Sequence, residues 1–270
     1  MKKSLFNLIL GTFTAVVLFT SCLGDGNNEF GSDNVFAYIT THEKTGRKVA
    51  ALSQAIYISS PTIDGLESGK CYLMSYRLSS DNLSSNGIYE NATITGVSKS
   101  ITPTMSIVGP VTIEDTFNPS DFIPYYGRSD SFVGNNWGFL YTTAKLKEND
   151  TPRAYFFYDA DRQYEMVDGV RKDVEKNQII IDVRFNYVPG VDGGSVLKQQ
   201  ILSVGNLSQI RQEYKNSDNF EFGSGTYVNV VIKFRYNQLQ SDNTTVKTDV
   251  YVGSWTSAPY NFTYYKDTES

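Results

Sequence analysis

Residues 178–188 read Gln-Ile-Ile-Ile-Asp-Val-Arg-Phe-Asn-Tyr-Val, and this stretch decides the fold class. Apolar side chains occupy every second position, namely Ile179, Ile181, Val183 and Phe185. A period of two is typical of a β-strand that packs one face against a facing sheet. The intervening positions, Ile180, Asp182, Arg184 and Asn186, are mostly polar, and we expect them to face water. The stretch therefore predicts a half-buried strand of a packed β domain.

The rest of the chain alternates in the same way, in runs that end at Gly, Asn, Asp or Ser. Two such runs, 226–236 and 245–254, are separated by a polar loop and predict a hairpin. The best helix candidate is the short segment 206–215, where Asn206 can cap the first turn. Phe and Tyr, with 16 and 19 residues, suit pleated surfaces. The sequence thus predicts an all-β protein.

Residues 115–136 interrupt the alternation with several Pro and Gly residues among aromatic side chains. This composition predicts a long connection, and we place a domain boundary near residue 113. A chain of 270 residues is long enough for two ordinary domains. The first core is expected to draw on Phe36, Tyr38, Ala50, Leu52, Ile56, Leu73, Tyr76 and Ile94. The second is expected to draw on Phe139, Tyr155, Phe157, Ile179, Ile181, Val183, Phe185, Val228, Val230, Ile232 and Val250.

The net charge of the chain excludes one class of partner. The formal charge is -5, from 24 Lys and Arg against 29 Asp and Glu. Removal of Lys2 and Lys3 with a leader would leave 22 against 29, a charge of -7. Nucleic-acid binding requires a basic face, so no nucleic-acid partner is predicted.

The first 21 residues have the parts of a signal peptide. Lys2 and Lys3 precede an apolar stretch that is short for a transmembrane helix. Residues 18–22, Leu-Phe-Thr-Ser-Cys, resemble the lipobox of bacterial lipoproteins. The resemblance implies that residues 1–21 are removed and that the thiol of Cys22 carries a diacylglyceryl group. Several acyl chains would hold the protein stably on a membrane.

Residues 22–33 are rich in Gly, Asn and Asp and predict a flexible tether. The acidic residues of the tether resemble, loosely, the surface-export signals of some Gram-negative lipoproteins. The expected location is therefore the cell envelope, at the outer membrane, with the periplasmic and surface faces both open.

The layout of the whole chain resembles the NigD-like lipoproteins. The resemblance rests on the lipobox, the acidic tether, the Gly-rich turn at 64–70 before the strand residues 72–76, and a long strand predicted over 89–101. It implies an OB-like N-terminal barrel over residues 34–113, followed by a C-terminal β-sandwich over residues 114–270. It implies no chemistry that could be assigned to particular residues.

Candidates for catalysis are few. His42 is the single histidine and lies in a polar turn, where we expect it to be solvated. Cys71 lies in an apolar run and is expected to be buried in a strand. With one His and one spare Cys, neither a Ser-His-Asp triad nor a zinc site is predicted, and no cofactor or metal is predicted. Asp159, Asp161 and Glu165 resemble part of a calcium loop, but a solvated hairpin tip is the favoured interpretation.

Aromatic residues offer a route to ligand binding. Tyr125, Tyr126 and Trp137 are the candidate ligand-binding residues, and Trp255 could also stack on a sugar ring. For the two tryptophans a position in the core is the alternative. Two functions follow from the sequence. The first is a membrane-anchored lipoprotein with a non-catalytic binding or assembly role and an envelope protein or glycan as partner. The second is a carboxylate-dependent, glycan-active enzyme of β fold.

Overall fold

The computed structural model describes residues 28–53, 56–125, 135–191, 194–257 and 260–266. The predicted signal peptide, Cys22 and Tyr126 lie outside the described residues. Within the described ranges the chain consists mainly of β-strands, with two short helices. The predicted all-β class is therefore confirmed. None of the helices in these ranges has the length and apolar character needed to cross a membrane. The contacts between Cα atoms divide the chain into two compact units, described in turn.

The first unit is built on one six-stranded sheet. Its strands are β1 (Glu29–Thr41), β2 (Lys48–Ser53), β3 (Ile56–Ile58), β4 (Cys71–Ser79), β5 (Ile88–Tyr89) and β6 (Thr93–Val97). They lie in the order β5-β3-β2-β1-β4-β6. Helix α1 (Pro61–Asp64) follows β3 and begins after Ser60, whose Oγ accepts a hydrogen bond from the Ile63 amide. The OB-like barrel is not confirmed, because in the described pairings β5 and β6 are the two outer strands of an open ladder.

The inward faces of β1 and β4 differ from the prediction. Ala37 and Ile39 of β1, with Tyr72 and Met74 of β4, belong to the core cluster. Phe36 is buried outside this cluster, and Tyr38 and Leu73 are partly exposed. Phe36 is thus confirmed as a buried residue. The predicted phase is wrong at Tyr38 and Leu73, because apolar side chains occupy both faces of each strand and alternation cannot choose between them. Ala50, Leu52 and Tyr76 are confirmed as core residues, with Ile56 and Ile94 packed against them.

Two further expectations for this unit are corrected. The single strand predicted over 89–101 is broken by a turn at Asn91, whose φ of 56° separates β5 from β6. The tether predicted over 22–33 is wrong for its described part, because β1 already begins at Glu29 and lies beside β4. Gly31 lies so close to the backbone of Tyr76 that a Cβ could not be accommodated. Asp33 pairs with Arg77 at 3.1 Å. Gly31 therefore permits close contact between β1 and β4.

The second unit contains the remaining elements. Its strands are β7 (Thr104–Met105), β8 (Ile107–Val108), β9 (Asp121–Pro124), β10 (Asn136–Lys147), β11 (Thr151–Tyr158), β12 (Tyr164–Val167), β13 (Val170–Asp173), β14 (Gln178–Val188), β15 (Val196–Asn206), β16 (Tyr227–Leu239), β17 (Val246–Val252) and β18 (Tyr260–Tyr265). Helix α2 (Ser208–Lys215) follows β15. One sheet has the order β7-β15-β10-β9, and a second has the order β17-β16-β14-β11-β8, with β18 also paired to β16. β12 and β13 form a separate hairpin.

Aromatic side chains from the two sheets meet and form a sandwich core. Phe139 of β10 lies 4.7 Å from Phe156 of β11 and 5.1 Å from Phe234 of β16, measured between ring centroids. Tyr141 of β10 lies 5.0 Å from Phe185 of β14. Because these pairs join one sheet to the other, the predicted β-sandwich is confirmed.

Most of the second predicted core is confirmed. The members found in the core cluster are Phe139, Ile179, Ile181, Val183, Phe185, Val230 and Ile232. Val228 and Val250 pack against the cluster while partly exposed. In β11 the phase is wrong, because Phe156 rather than Tyr155 or Phe157 belongs to the cluster. Phe157 is nevertheless fully buried, so both faces of β11 are covered.

The outer face of β14 is also covered, which contradicts the expectation that it faces water. Ile180 and Asp182 are fully buried and Arg184 is 7% exposed. Gln163 exchanges two hydrogen bonds with the backbone of Ile180, at 2.9 and 2.8 Å, and Arg162 reaches Asp182. The residues that lead into the β12–β13 hairpin therefore form a second layer over this face.

The division between the units falls at residues 99 and 100, earlier than the boundary predicted near 113. β7 pairs with β15, and β8 pairs with β11, both in parallel. These two-residue strands belong to the sheets of the second unit. They are too short for an alternation pattern to reveal.

Candidate functional site

Of the three predicted ligand-binding residues, Tyr125 and Trp137 lie within the described part of the chain. Trp137 is 2% exposed. Its ring lies 5.6 Å from Phe262, 5.9 Å from Phe234 and 6.4 Å from Phe139, measured between centroids. Trp137 therefore has the alternative position in the core, where its ring is packed against these three side chains and is not accessible to a ligand. Tyr125 is half-buried, and its backbone amide donates to the carbonyl of Gly138 at 2.8 Å.

Trp255 is engaged by charged side chains. Its Nε1 donates to Glu165 Oε2 at 2.7 Å, and the Lys233 Nζ lies 4.4 Å from the centroid of its ring. Lys233 and Glu165 pair at 2.8 Å. Trp255 thus contacts both Lys233 of β16 and Glu165 of β12, and these contacts help to hold β12 on β16.

His42 and Cys71 are both buried. His42 is 7% exposed, so the expected solvated position is wrong. Its ring packs edge-on against Tyr57, with 4.9 Å between centroids, and Nδ1 lies 3.2 Å from Thr45 Oγ1. Cys71 is fully buried, as predicted, and burial raises the pKa of its thiol to about 12. A thiol with such a pKa is protonated at neutral pH and is a poor nucleophile.

The acidic set at 159–165 does not form a common site. Asp159 is 7% exposed and its Oδ1 accepts the Asp161 amide at 3.0 Å, which closes a short turn. Glu165 pairs with Lys233 instead. The expected solvated hairpin tip is therefore wrong for Asp159. In the ranges that the structure describes, no three His, Cys, Asp or Glu side chains are grouped as a metal site would require.

A buried ionic cluster joins β14, β16 and the turn before β12. Asp182 accepts hydrogen bonds from Arg235 at 2.8 and 2.6 Å, and pairs with Arg184 and Arg162 at 3.4 Å each. Burial alone would lower the pKa of Arg235, but the hydrogen bonds and charge of Asp182 raise it above its ordinary value. The side chains of Asp182 and Arg235 are buried, so the cluster stabilises the fold and the pair is not accessible to a ligand.

An open concave surface lies alongside α2. We call it the α2 groove: α2 contributes Gln209 and Gln212, β8 contributes Val108, β18 contributes Tyr265, and Asn135 lies just before β10. Its volume is about 950 Å³, at the upper end of the range of about 300–1,000 Å³ for small-molecule sites.

Local sequence explains how α2 presents this surface. The predicted helix is confirmed, and the Asn206 Oδ1 accepts the Ser208 amide at 3.1 Å. Ile210 and Tyr214 are fully buried in the core, which turns Gln209 and Gln212 outward. These glutamines are three residues apart and therefore lie on the same side of the helix. The Gln-x-x-Gln spacing beside a buried stripe was the one sequence signal that could have identified the groove.

Arg211 fixes the wall of the groove between α2 and β18. Its Nη1 donates to Asn135 Oδ1 at 3.4 Å, and its Nη2 donates to the carbonyl of Thr263. The guanidinium carbon lies 4.9 Å from the centroid of the Tyr264 ring. The Tyr264 hydroxyl in turn donates to the Arg211 carbonyl at 2.8 Å. This reciprocal arrangement makes the groove preformed.

A second cavity of about 590 Å³ lies in the same unit, beside Pro103, Arg153 and Tyr155. Its described lining contains no carboxylate. In the α2 groove, Glu213 is the one carboxylate of the described lining. Glycosidases use a pair of carboxylates, and the described lining residues of neither cavity include such a pair.

Comparison with known proteins gives a fold. No protein-family model matches the chain, and no curated protein does. An uncharacterized protein from Parabacteroides merdae is 15% identical, with a TM-score of 0.53, over 84% of this chain and 97% of that one. A provisionally named lipoprotein from Bacteroides fragilis is 9% identical, with a TM-score of 0.45, over 87% and 96%.

A NigD-like immunity protein from Bacteroides caccae is 12% identical, with a TM-score of 0.41, over 90% of this chain and 100% of that one. At these identities the likeness is one of fold alone.

Proposed function

We propose that this chain is a lipid-anchored cell-envelope protein that binds an envelope component in the α2 groove without catalysing a reaction. The observation that carries the proposal is the groove itself, a preformed concave surface with polar side chains that point into it. We place the anchor at the outer membrane, with either face open.

Support for the anchor comes from the sequence. Lys2 and Lys3, the apolar stretch 5–19 and the residues before Cys22 form a lipobox-type leader. A lipid on Cys22 would keep the binding unit at the membrane. Its effective concentration near other envelope components would then be higher than that of a freely diffusing protein.

Support for a non-catalytic role comes from the lining of the groove. Its ionisable side chains are Arg211, Glu213 and Lys215 together with two tyrosines. Arg211 is committed to Asn135 and Thr263, and Glu213 has no second carboxylate beside it in the described lining. The residues suit the fixing of a ligand better than the transfer of protons.

Cysteine labelling in isolated envelopes tests the proposal. Gln212 is exposed in the groove, so Gln212→Cys places a reactive thiol there. Cys71 is fully buried and Cys22 would be lipidated, so the new thiol is the one that reacts. If the groove is occupied, a maleimide should label Gln212→Cys several-fold more slowly in envelopes than in purified protein.

Val191→Cys is the matched control, because Val191 is 100% exposed and lies outside the groove lining. Its labelling rate should be the same in envelopes and in solution. Equal protection of the two positions, or protection of neither, would contradict binding in the groove.

A further inference from the structure

We infer that the ligand of the α2 groove is a neutral carbohydrate chain, an inference that rests on the proposed binding function. The groove brings together planar amide side chains, an exposed aromatic ring and a nearly balanced charge. Each of these features suits sugar rings, and together they disfavour the other polymers of an envelope.

Amide side chains provide the polar contacts. Gln209 and Gln212 lie on the same side of α2, and Asn135, whose Oδ1 accepts from Arg211, is a third amide of the groove lining. An amide carries both donors and an acceptor. A sugar hydroxyl is likewise both donor and acceptor, and neighbouring hydroxyls can bond to the two ends of one amide. Amides are therefore suited to a ligand rich in hydroxyl groups and without charge.

Exposed tyrosines provide the apolar contacts. Tyr227 and Tyr265 are directly opposite each other in the β16–β18 pair, and they are 55% and 60% exposed. Among the aromatic residues that the structure describes, these two are the most exposed. Their rings are tilted by 47° with centroids 6.2 Å apart, so each keeps a face open to solvent. Tyr265 lines the groove, and Tyr227 extends the surface beyond it.

The charge of the groove favours a neutral ligand. Arg211 and Lys215 are opposed by Glu213, which leaves a formal charge of +1 in the described lining. The guanidinium of Arg211 is already held by Asn135 and Thr263. The whole chain without its leader carries -7, from 22 Lys and Arg against 29 Asp and Glu. An acidic polymer would gain little in the groove and would be repelled at a distance.

The outer edge of β18 disfavours a peptide as the ligand of the α2 groove. Peptides commonly bind as an added strand on an open sheet edge. In the described pairings β18 has β16 as its one partner strand, and it lies beside α2 at the groove. The outward carbonyl of Thr263 in β18 accepts from Arg211, which blocks strand addition at this position.

Native gel electrophoresis of the full-length lipidated protein in neutral detergent tests the inference. Gels contain neutral polysaccharide fractionated from the cell envelope, or soluble starch or mannan as neutral model polymers, and acidic polygalacturonate is the charged comparison. We expect at least one neutral polysaccharide to retard the protein. Tyr265→Ala should weaken that binding by about tenfold, as expected for a lost stacking contact, and Gln212→Ala should also weaken it. Tyr265→Phe keeps the ring and should bind as the unchanged protein does.

Met166→Ala is the control for a surface change elsewhere, since Met166 is 53% exposed in the β12–β13 hairpin. Stronger retardation by polygalacturonate than by every neutral polymer would overturn the inference, as would equal binding by Tyr265→Ala. Binding of a peptide library that requires Tyr265 would also overturn it. If no neutral polysaccharide binds while Gln212→Cys remains protected in envelopes, the carbohydrate inference fails and the proposed function stands.

Discussion

Asp182 of β14 and Arg235 of β16 are directly opposite each other in neighbouring parallel strands and form a fully enclosed ion pair. Their side chains are 0% and 2% exposed, and two hydrogen bonds join them. Arg235 also donates to the backbone carbonyls of Arg162 and Tyr164. One ionic pair therefore holds together two central strands and the start of the β12–β13 hairpin.

Removal of one partner should be costly. Asp182→Ala removes the buried carboxylate that accepts two hydrogen bonds from Arg235, and the remaining acidic partner, Asp249, lies 3.8 Å from Arg235 Nε with its side chain 47% exposed. We expect the free energy of unfolding to fall by about 3–5 kcal/mol. Urea denaturation measures the change. The surface pair Arg47–Glu90, 51% and 39% exposed, is the comparison. Arg47→Ala should cost at most about 1 kcal/mol. A loss of less than 1 kcal/mol in Asp182→Ala would show that the pair does not stabilise the fold.

The two faces of β14 should both be sensitive to substitution. Phe185 is fully buried in the sandwich core, so Phe185→Ala should cost about 3–5 kcal/mol. Arg184 is 7% exposed, pairs with Asp182 and donates to the Val183 carbonyl. Arg184→Ala should therefore cost about 1–3 kcal/mol, although the alternation alone predicts a surface position. Thermal unfolding of both variants measures these costs. If Arg184→Ala were as stable as the unchanged protein, the outer face of β14 would contribute nothing to stability, which would contradict the prediction.

The difference between sequence and structure at β14 has a physical cause. The period of two identifies the strand and its inner face, because Ile179 to Phe185 alternate strictly. It cannot show that the outer face is covered, because the covering residues Arg162 and Gln163 are distant in the sequence and polar. A polar residue such as Asp182 is assigned to water unless its partners are known. For the same reason the sequence does not reveal the α2 groove, whose lining comes from α2, β8, β18 and Asn135, which are far apart in the chain.

Predictions that rested on the local sequence had different outcomes. The helix at 206–215 was predicted correctly, since its cap and its apolar stripe are local features. The sequence offers Trp137 as an aromatic ring that could stack on a sugar, with a position in the core as the alternative. Trp137 begins the buried face of β10. The position of an aromatic ring at the start of a strand depends on the facing sheet, which the local sequence does not specify.

Cys71 should be inert in the folded protein. Burial raises the pKa of the Cys71 thiol from its ordinary value of 9.0 to about 12. The folded pKa is the higher one, so this group contributes stability below about pH 9, which is lost as the pH rises toward 12. At pH 8 a maleimide should label Cys71 in urea and leave it unlabelled in native buffer. Rapid labelling of the native protein would contradict the buried position.

Cys22→Ala should abolish the membrane anchor. The thiol of Cys22 is the group to which the diacylglyceryl chain would be attached, and alanine cannot accept it. We expect the variant to incorporate no labelled fatty acid and to leave the membrane fraction on cell fractionation. The contrary result would be fatty-acid incorporation in Cys22→Ala, because the lipid would then be attached at another residue.

Photo-crosslinking in living cells tests binding in the α2 groove most directly. A diazirine amino acid replaces Gln212 in the groove or Val191 outside it, and the adducts are identified by mass spectrometry after illumination. We predict a specific adduct at position 212 that contains an envelope saccharide, and no such adduct at position 191, where the side chain is 100% exposed. Identical adducts at both positions, or none at position 212, would contradict the assignment of the groove as the binding site.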